Sequence, residues 1–389
     1  MRKLFIFNSL TNKKEVFVPI DKSNIRVYAC GPTVYNYAHI GNARMSVVFD
    51  TIVKLLRYAY PKVTYVSNIK YIDDKIIKRS LQEKKTCDEI SNTYLKIYNY
   101  EMEKLNVNIP DHQPRATEYV DSMIKKIGAL LEEGYAYLND KHVLFSVNNF
   151  PRYGALSKRI KKEQIAGIRV DKASYKKNSE DFVLWKPSKK NEPGWNSPWG
   201  TGRPGWHTEC FAMASDLLKT PFDIHGGGLD LKFPHHDNEI AQGCCFNNKK
   251  NDIQSYAKYW MHNGFVTFQN NKMSKSLGNI ILLKDYLEKY NGEIIRLALL
   301  TSHYRSPLVW SESLITQSKN ILDKFYNLLR QLQELDVEVT EKKLPGELEE
   351  CLFDDLNIAK VLAYLNSIAK DKKSFINNKS KKNLKTTLL

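Results

Sequence analysis

The first hundred residues combine two short apolar runs with a helical pattern between them. Ile25–Ala29 is a β-prone run that ends in a Gly-Pro turn, and residues 62–68 form a second run with alternating apolar positions. Between the two runs, Val48, Ile52 and Leu55 recur at helical spacing. This order of strand, helix and strand predicts a parallel sheet, and such sheets bind ligands at the carboxyl ends of their strands.

Changes in this pattern divide the chain into five regions. We predict the first half of an α/β domain, an inserted region rich in Lys, Asn and Pro, the second half of the α/β domain, a helical region, and a disordered Lys- and Asn-rich tail. Their bounds are 1–110, 111–202, 203–283, 284–369 and 370–389. In the second half, a strand should run into the glycines at 226–228, and a further strand is expected near residues 264–269.

The composition favours a folded protein with an anionic partner. Hydrophobic residues make up 42% and charged residues 26% of the 389 residues, which is typical of globular domains. The formal net charge is +16, and such a balance favours nucleic acid, a phosphate-rich substrate or a membrane surface as partner. The alternative is that a Lys- and Asn-rich composition became basic without functional meaning.

Neither a membrane protein nor a secreted protein is predicted. The longest apolar stretches fall far short of the ~18 residues that a membrane span needs. The apolar run that follows Lys3 is too short for the core of a signal peptide. The 6 cysteines are scattered along the chain, which is typical of reduced cytosolic thiols unless some of them bind metal. We therefore expect a cytoplasmic protein that has no membrane partner.

Four side chains are candidates for a metal site. His235 and Glu239 are four positions apart in a segment that begins after a proline, so a helix would present both on one face. Zinc also accepts thiolates, and Cys30 at a strand end and Cys210 could complete its ligands. Such widely separated residues are not a motif. From the residues alone, buried free cysteines and a surface His-Glu pair are the alternative.

Two further segments suit a phosphate ligand. Residues 39–42 (His-Ile-Gly-Asn) open a helix, where free backbone N–H groups and the helix dipole attract anions. Residues 272–279 (Lys-Met-Ser-Lys-Ser-Leu-Gly-Asn) place two lysines and two hydroxyls before a helix, and such groups stabilise a departing phosphate. Each segment alone is a weak signal, because a charged run is usually a solvated turn. The two together are much more specific.

These two segments resemble the signature motifs of the class I aminoacyl-tRNA synthetases. More narrowly, the chain is similar to the cysteinyl-tRNA synthetase family in residues 30–35, 203–210, 224–231 and 233–236, which follow the family's order. The resemblance covers roughly residues 1–365. It implies an α/β fold with a Rossmann-type parallel-sheet catalytic domain, an inserted connective region, and a helical, anticodon-binding-like region that is truncated.

The activity that this resemblance implies is ATP-dependent ligation of L-cysteine to tRNA(Cys) through a cysteinyl adenylate, with Mg²⁺ accompanying ATP. The resemblance also makes Cys30, Cys210, His235 and Glu239 the ligands of one zinc ion. A metal-bound thiol is deprotonated. Coordination of the substrate thiolate would therefore select cysteine over serine without a separate editing site.

The resemblance assigns further roles around the substrates. His39, Lys272 and Lys275 are the expected catalytic residues, with both lysines on the leaving pyrophosphate. Gly31, Trp206 and His207 are the residues expected to bind cysteine, although an ordinary core aromatic is the alternative for the tryptophan. The residues expected to bind ATP are His39, Gly41, Asn42, Gly226, Gly227, Gly228, Asp230 and Lys275.

The chain departs from the family pattern in three respects. Asn42 replaces the second histidine of the first signature motif, and an amide can still donate to phosphate. Lys70 and Tyr71 stand where the family usually has Thr and Asp, and a cation near the cysteine pocket could perturb substrate binding or pair with the substrate carboxylate. The family also continues into an anticodon-binding domain of which we expect only the first helices here. Anticodon recognition is therefore in question, whereas adenylate formation should survive.

Two alternatives to a tRNA ligase follow from these departures. The first keeps the adenylate chemistry but uses another acceptor, such as an amino sugar. The second is an inactive RNA-binding remnant, motivated by Lys70, Tyr71 and the short helical region. The net charge and the intact segment 272–276 favour tRNA as the acceptor, and the family resemblance suggests a monomer.

Overall fold

The computed structural model describes residues 2–158, 173–189, 192–268, 271–272, 280–333, 344–370, 381–382 and 385. Its strands are β1 (Phe5–Asn8), β2 (Lys13–Val16), β3 (Ile25–Ala29), β4 (Val63–Ser67), β5 (Ala136–Asn139), β6 (His142–Phe145), β7 (Phe182–Pro187), β8 (Gly202–Pro204), β9 (Phe222–Gly228), β10 (Ala257–Asn263), β11 (Val266–Phe268), β12 (Asn271–Lys272) and β13 (Leu308–Trp310). Its helices are α1 (Ile40–Ala59), α2 (Asp74–Glu83), α3 (Cys87–Lys104), α4 (Val120–Glu132), α5 (Trp206–Leu218), α6 (Asp237–Phe246), α7 (Leu283–Leu287), α8 (Gly292–Leu300), α9 (Glu312–Gln331), α10 (Gly346–Phe353) and α11 (Ile358–Lys370).

A parallel sheet of four strands, in the order β10-β9-β3-β4, forms the centre of the molecule. In its register Val27 of β3 lies opposite both Tyr65 of β4 and Ile224 of β9. Helix α1 connects β3 to β4, as the periodicity predicted, and packs its apolar face on the sheet. The α/β fold with a parallel sheet is therefore confirmed, and its strands are buried because helices cover both faces.

Close packing of α1 on the sheet requires a glycine at one position. A Cβ atom on Gly226 would lie 2.2 Å from the ring of Phe49, which α1 projects onto β9. Phe49 is fully buried together with Val48 and Ile224. Replacing Gly226 by any larger residue would push the helix off the strand, because a buried aromatic ring has no space to retreat into.

The strand expected near residues 264–269 is confirmed as β11, which is the middle strand of a small sheet with β12 and β13. The preceding strand of the central sheet, β10, was not predicted. It is almost wholly buried and so lacks the alternation that marks a strand in the sequence. Its C-terminal end also carries two polar residues, His262 and Asn263, which are buried.

The inserted region has an antiparallel sheet of its own, in the order β5-β6-β7-β8. Its turn-rich composition did not predict these short strands. Phe145 and Phe182 stack at 4.9 Å between ring centroids, and Trp185 is fully buried. Strand β8 is followed directly by α5, so this sheet fixes the point at which Trp206 begins the helix. The insertion therefore contributes to the position of the site below.

The helical region is joined to α1 and to β1 by polar contacts. The guanidinium of Arg296 in α8 donates to the carboxylate of Asp50 in α1 at 2.6 Å. Asp355, which is buried, accepts from the Tyr304 hydroxyl at 2.7 Å and from the backbone N–H of Phe7 at 2.8 Å.

The predicted disordered tail lies outside the described residues except for positions 370, 381–382 and 385. Within the described part of the chain, no helix is long and apolar enough to cross a membrane.

Candidate active site

A cavity of about 370 Å³ opens at the carboxyl ends of β3 and β4, where ligands of parallel sheets are expected. The loops that follow these two strands run side by side. The backbone N–H of Gly31 donates to the Asn68 side chain at 2.9 Å, and that of Lys70 donates to the carbonyl of Pro32 at 3.3 Å. A Cβ on Gly31 would lie 1.7 Å from the Asn68 carbonyl oxygen. A glycine is thus needed for the close approach that places Cys30 at the cavity.

The four candidate metal ligands lie together, and Cys30 among them lines this cavity. Each of the four residues offers one ligand atom, and these four atoms lie within 4.8 Å of one another. The residues are Cys30, Cys210, His235 and Glu239. The Cys30 Sγ is 3.5 Å from both the His235 Nε2 and the Glu239 Oε1, and the latter two atoms are 3.0 Å apart. All four side chains are buried. We call these four residues the sulfur cluster.

Separate elements of the fold deliver these side chains. Cys30 follows β3, Cys210 lies in the first turns of α5, and His235 lies in the turn that leads into α6, which carries Glu239. The four-residue spacing of His235 and Glu239 gives the contact that the sequence predicted. The two cysteines reach the same point because β3 is a central strand and α5 packs over it.

A second set of buried groups orients the sulfur cluster. The other carboxylate oxygen of Glu239, Oε2, lies 2.8 Å from the His225 Nε2 and accepts from the Tyr256 hydroxyl at 3.1 Å. The Nδ1 atoms of His207 and His235 are 2.7 Å apart. These contacts leave Oε1 of Glu239 and Nε2 of His235 facing the two cysteines. Such outer partners fix the direction of a metal ligand and are part of its site.

The electrostatics of the cluster favour a cation in its centre. Burial acts to raise the pKa of Glu239, but His225 and His235 outweigh it and hold that pKa well below its usual range. Burial likewise favours neutral His235, but the charges of Glu239 and Cys210 raise its pKa to about 9. A hydrogen bond from Cys30 lowers the pKa of Cys210 to about 6 against the effect of burial. A carboxylate and a thiolate are therefore available at neutral pH.

An overlapping set of residues shares two members of the sulfur cluster. Cys30 and Glu239 also lie within 4.8 Å of ring nitrogens of His225 and His236. Because both sets use the same thiol and the same carboxylate, they are alternatives for one ion and not two sites. The sulfur cluster offers two cysteine sulfurs where the overlapping set offers one, and zinc favours the softer set.

Trp206 and Lys70 form the cavity wall next to the sulfur cluster. Trp206 is 42% exposed and lines the cavity, so it is not an ordinary core aromatic. Its ring stacks on His235 at 4.4 Å between centroids, and the Lys70 Nζ lies 3.7 Å from its centroid. Lys70 is only 5% exposed and pairs with Asp73 at 2.9 Å.

Tyr71, the other departure from the family pattern, points away from the cavity. Its hydroxyl donates to the Asn92 side chain at 3.1 Å, and the guanidinium of Arg115 lies 4.9 Å from its ring centroid. Tyr71 is buried in a cluster with residues of α2 and α3. Of the two substitutions, only Lys70 can act on a substrate directly.

The start of α1 forms the opposite side of the cavity, which we call the phosphate end (residues 38–42). His39 is the N-cap: its Nδ1 accepts from the backbone N–H of Asn42 at 3.1 Å, and the Asn42 side chain accepts from the backbone N–H of His39 at 3.2 Å. His39, Gly41 and Asn42 all line the cavity. Asn42 thus closes a reciprocal cap that stabilises the helix start, where anions bind.

The chain that follows the lysine-rich segment is tied to the phosphate end. The backbone N–H of Ile40 donates to the carbonyl of Ile281 at 3.0 Å, and that of Leu283 donates to the carbonyl of Ala38 at 2.8 Å. Lys272 ends β12, which pairs with β11. Residues 273–279, with Lys275, lie outside the described residues. The contacts of both lysines with ATP stay predictions.

The remaining predicted site residues divide between the cavity surface and the layer behind it. Gly31, Gly228 and Asp230 line the cavity. Gly226, Gly227 and His207 lie behind the described lining, where Gly226 packs on Phe49 and His207 contacts His235. A direct substrate contact of these three residues stays a prediction.

The sequence did not reveal His225, Tyr256 or Asp73 as parts of the site. His225 sits immediately before the glycines of β9, which was the one available signal, and Asp73 follows Lys70 by three positions. Tyr256 comes from a loop that the pattern left unassigned. Partners of this kind depend on tertiary proximity, which periodicity does not encode.

Comparison with known proteins identifies the family of this chain. The family described as tRNA synthetases class I (C) catalytic domain matches residues 16–320. The cysteine--tRNA ligase of Rhodospirillum centenum is 49% identical over 366 residues, which cover 94% of this chain and 78% of the relative. That of Pelagibacter ubique is 46% identical over 369 residues, covering 94% of this chain and 79% of the relative.

Solved structures show the same fold at much lower identity. The Mycobacterium tuberculosis methionyl-tRNA synthetase in complex with methionyl-adenylate aligns with a TM-score of 0.66 at 14% identity, over 94% of this chain and 88% of that one. A putative arginyl-tRNA synthetase from Campylobacter jejuni gives 0.56 at 14% identity, over 94% and 84%. The chain therefore belongs to the cysteine--tRNA ligase family of the class I aminoacyl-tRNA synthetases, and it is an enzyme of tRNA aminoacylation.

Proposed function

We propose that this enzyme joins L-cysteine and ATP to cysteinyl adenylate and then transfers the cysteinyl group to tRNA(Cys). The observation that carries the proposal is the arrangement of the cavity. The buried sulfur cluster reaches the cavity through Cys30, and the capped start of α1 lines another part of the same cavity. A thiol-bearing amino acid and a nucleoside triphosphate fit this pair of chemistries.

The residues of the sulfur cluster fit one zinc ion. Two thiolates, an imidazole and a carboxylate are all zinc ligands, and here they lie buried within 4.8 Å of one another. His225 and Tyr256 occupy the second oxygen of Glu239, so only Oε1 is offered to the ion. When bound, zinc would accept the substrate thiolate as a ligand, for which the hydroxyl of serine is a poor competitor.

Trp206 and the loop after β3 shape the space beside the cluster. The indole stacks on His235 and also closes the cavity wall, so it limits the access of water and the size of an amino acid held there. A tight, largely apolar wall discriminates one small group by only about 1–3 kcal/mol. The larger part of the selection must therefore come from the ligand chemistry of the cluster.

The phosphate end supplies the electrostatic part of the reaction. The cysteine carboxylate attacks the α-phosphorus of ATP, an oxygen–phosphorus bond forms, and the bond to pyrophosphate breaks. No base is needed, because the nucleophile is already ionised. The role of the protein is therefore positioning and charge stabilisation. The positive end of the α1 dipole and the side chains of His39 and Asn42 line the part of the cavity in which we place the phosphates.

The lysine-rich segment completes the phosphate end in this proposal. Lys272 and Lys275 neutralise the leaving pyrophosphate, and the Mg²⁺ that accompanies ATP would supply further positive charge there. The hydrogen bonds of Ile281 and Leu283 to residues 38–40 hold the end of this segment at the cavity. Gly228 and Asp230 line the part of the cavity where we place the adenosine.

The acceptor and the setting of the reaction complete the proposal. A net charge of +16 suits a polyanionic acceptor such as tRNA. We propose that the enzyme acts as a monomer in the cytoplasm, where the 6 cysteines stay reduced and the sulfur cluster keeps its thiolates.

The first test is amino-acid-dependent exchange of pyrophosphate into ATP by the zinc-loaded chain. We expect exchange with cysteine, none with serine at the same concentration, and loss of exchange when a chelator removes the metal. Equal exchange with both amino acids would overturn selection at the sulfur cluster. No exchange despite bound zinc would overturn adenylate formation and favour an RNA-binding remnant.

The second test concerns the acceptor. After adenylate formation is shown, tRNA(Cys) and an amino sugar are offered together, and the cysteinyl group is followed into each product. We expect transfer to tRNA(Cys). Transfer to the amino sugar would leave the adenylate chemistry in place and overturn the proposed acceptor.

A further inference from the structure

Lys70 is a buried cation at the edge of the substrate cavity. Its side chain is 6% exposed, and its ammonium contacts the Asp73 carboxylate at 2.9 Å. An ammonium has three N–H donors, and Asp73 is the one hydrogen-bond acceptor that the described residues give it. The Trp206 ring covers another side at 3.7 Å. Lys70 nevertheless lines the cavity, so it can still donate to a bound ligand.

The position of Lys70 relative to the sulfur cluster defines what it can reach. One indole ring, that of Trp206, contacts both His235 and Lys70. Lys70 also follows β4, which pairs with β3, the strand directly before Cys30. The backbone N–H of Lys70 donates a hydrogen bond to the carbonyl of Pro32, in the loop after β3. A small amino acid with its sulfur at the cluster therefore extends its α-carbon groups toward Lys70.

We propose that the Lys70 ammonium binds the α-carboxylate of cysteine and so acts as a positioning and specificity residue; this inference rests on the proposed function. Asp73 holds the ammonium in place, and Trp206 forms the surface beneath it. One carboxylate oxygen accepts from Lys70 while the other attacks the α-phosphorus of ATP. The contact exists while the carboxylate is charged, so it acts mainly on the binding of cysteine.

The alternative is that Lys70 only neutralises Asp73. Burial acts to raise the pKa of Asp73, but Lys70 and the backbone N–H of Lys75 more than offset it, so the carboxyl pKa stays below its usual range. Asp73 also caps α2 through that N–H group, at 2.8 Å. A purely structural pair would affect every ligand of the cavity alike. A carboxylate contact would affect only ligands that carry a carboxylate.

The experiment compares cysteine with cysteamine, which keeps the thiol and the amine but lacks the carboxylate. Dissociation constants of both are measured by calorimetry on the zinc-loaded full chain and on Lys70→Met. A hydrogen bond to a charged group corresponds to about a 10- to 100-fold change in affinity. We expect Lys70→Met to raise the dissociation constant of cysteine by this factor and to leave that of cysteamine unchanged. The matched control is Lys78→Met, an exposed lysine of α2 that should change neither constant.

A second variant protects the test against misfolding. Lys70→Met leaves the Asp73 carboxylate without its partner, so the double variant Lys70→Met/Asp73→Asn removes both charges while an asparagine still caps α2. We expect the double variant to lose the preference for cysteine over cysteamine as the single one does. In exchange kinetics, both should raise the KM for cysteine far more than they lower kcat.

The results also separate this inference from the proposed function. An equal loss of affinity for cysteine and cysteamine, or no loss for either, would overturn the role of Lys70 even if cysteine-dependent exchange is normal. The opposite result is also possible: Lys70→Met weakens the binding of cysteine alone, but the wild-type chain forms no adenylate. This would support the contact between Lys70 and the cysteine carboxylate and would overturn the proposed adenylate reaction.

Discussion

The two ends of the cavity are built in opposite ways. The sulfur cluster takes side chains from four places spread over more than two hundred positions, all buried and held by partners such as His225 and Tyr256. The phosphate end is a single helix start, in which His39 and Asn42 cap each other within one turn. In the proposed reaction, the identity of the amino acid is decided where the fold must be complete, whereas phosphate is bound by a local element that many folds contain.

This contrast predicts how each end responds to substitution. Removing one member of the sulfur cluster leaves the remaining charges buried and uncompensated, so the whole site should fail. Removing one group at the phosphate end leaves the helix start and the other cations in place. We therefore expect the largest effects at the sulfur cluster and graded effects at the phosphate end.

The largest effect is expected for Cys210→Ser. A hydroxyl does not replace a thiolate as a zinc ligand, so bound zinc and cysteine-dependent exchange should both fall by more than the roughly 100-fold that loss of an outer partner causes. Metal content and exchange rate are measured on the same preparation. Cys351→Ser is the control, because Cys351 lies in α10 outside the cavity. Full zinc content in Cys210→Ser would contradict the assignment of this ligand.

A smaller effect is expected for Lys275→Ala. Loss of one group that stabilises the leaving pyrophosphate should lower the exchange kcat by about 100- to 1000-fold. Zinc content and cysteine affinity should not change, because the sulfur cluster is intact. Lys319→Ala, at an exposed lysine paired with Asp323 in α9, controls for the lost charge. A changed affinity for cysteine would show that the two ends are not independent.

Tyr256→Phe sharpens the comparison within the sulfur cluster. The variant removes one hydrogen bond to the Glu239 Oε2 but keeps the one from His225 and the ring packing. We expect zinc affinity to fall by about 10-fold, at the lower end of the effect of outer partners. Competition with a chelator measures it, and Tyr290→Phe serves as the control. Unchanged zinc affinity would mean that His225 alone orients the carboxylate.

The same contrast explains what the sequence could predict. The phosphate end and the central βαβ unit were predictable because their signals are local: a capped helix start, helical spacing and a strand before a Gly-Pro turn. His235 and Glu239 were also paired by local spacing. Cys30 and Cys210 could be joined to them only through the family resemblance. Lys70 was recognised as a departure, but its contact with Trp206 and the turning away of Tyr71 depend on packing that no spacing encodes.

The smallest effect is expected for Glu101→Gln, behind the phosphate end. Glu101 is buried in α3 and accepts from the backbone N–H of Ala38 at 3.3 Å. Burial raises its pKa to about 7, against the effect of that N–H group and of Lys284. Between the ordinary carboxyl pKa and about 7 the folded chain therefore holds a proton that the unfolded chain has released. Raising the pH through this window should lower the free energy of unfolding.

Glutamine is neutral at every pH, so the free energy of unfolding of Glu101→Gln should not fall in this way as the pH rises. Melting temperatures are measured on both proteins, each zinc-loaded. The melting temperature of the variant minus that of the wild type should increase from pH 5 to pH 8. Titration of the sulfur cluster is common to both chains and cancels in the difference. The exposed Glu103→Gln in the same helix should show no such trend. A difference that does not vary with pH would mean that Glu101 stays ionised, and the phosphate end would then have a charged carboxylate directly behind the helix start that binds an anion.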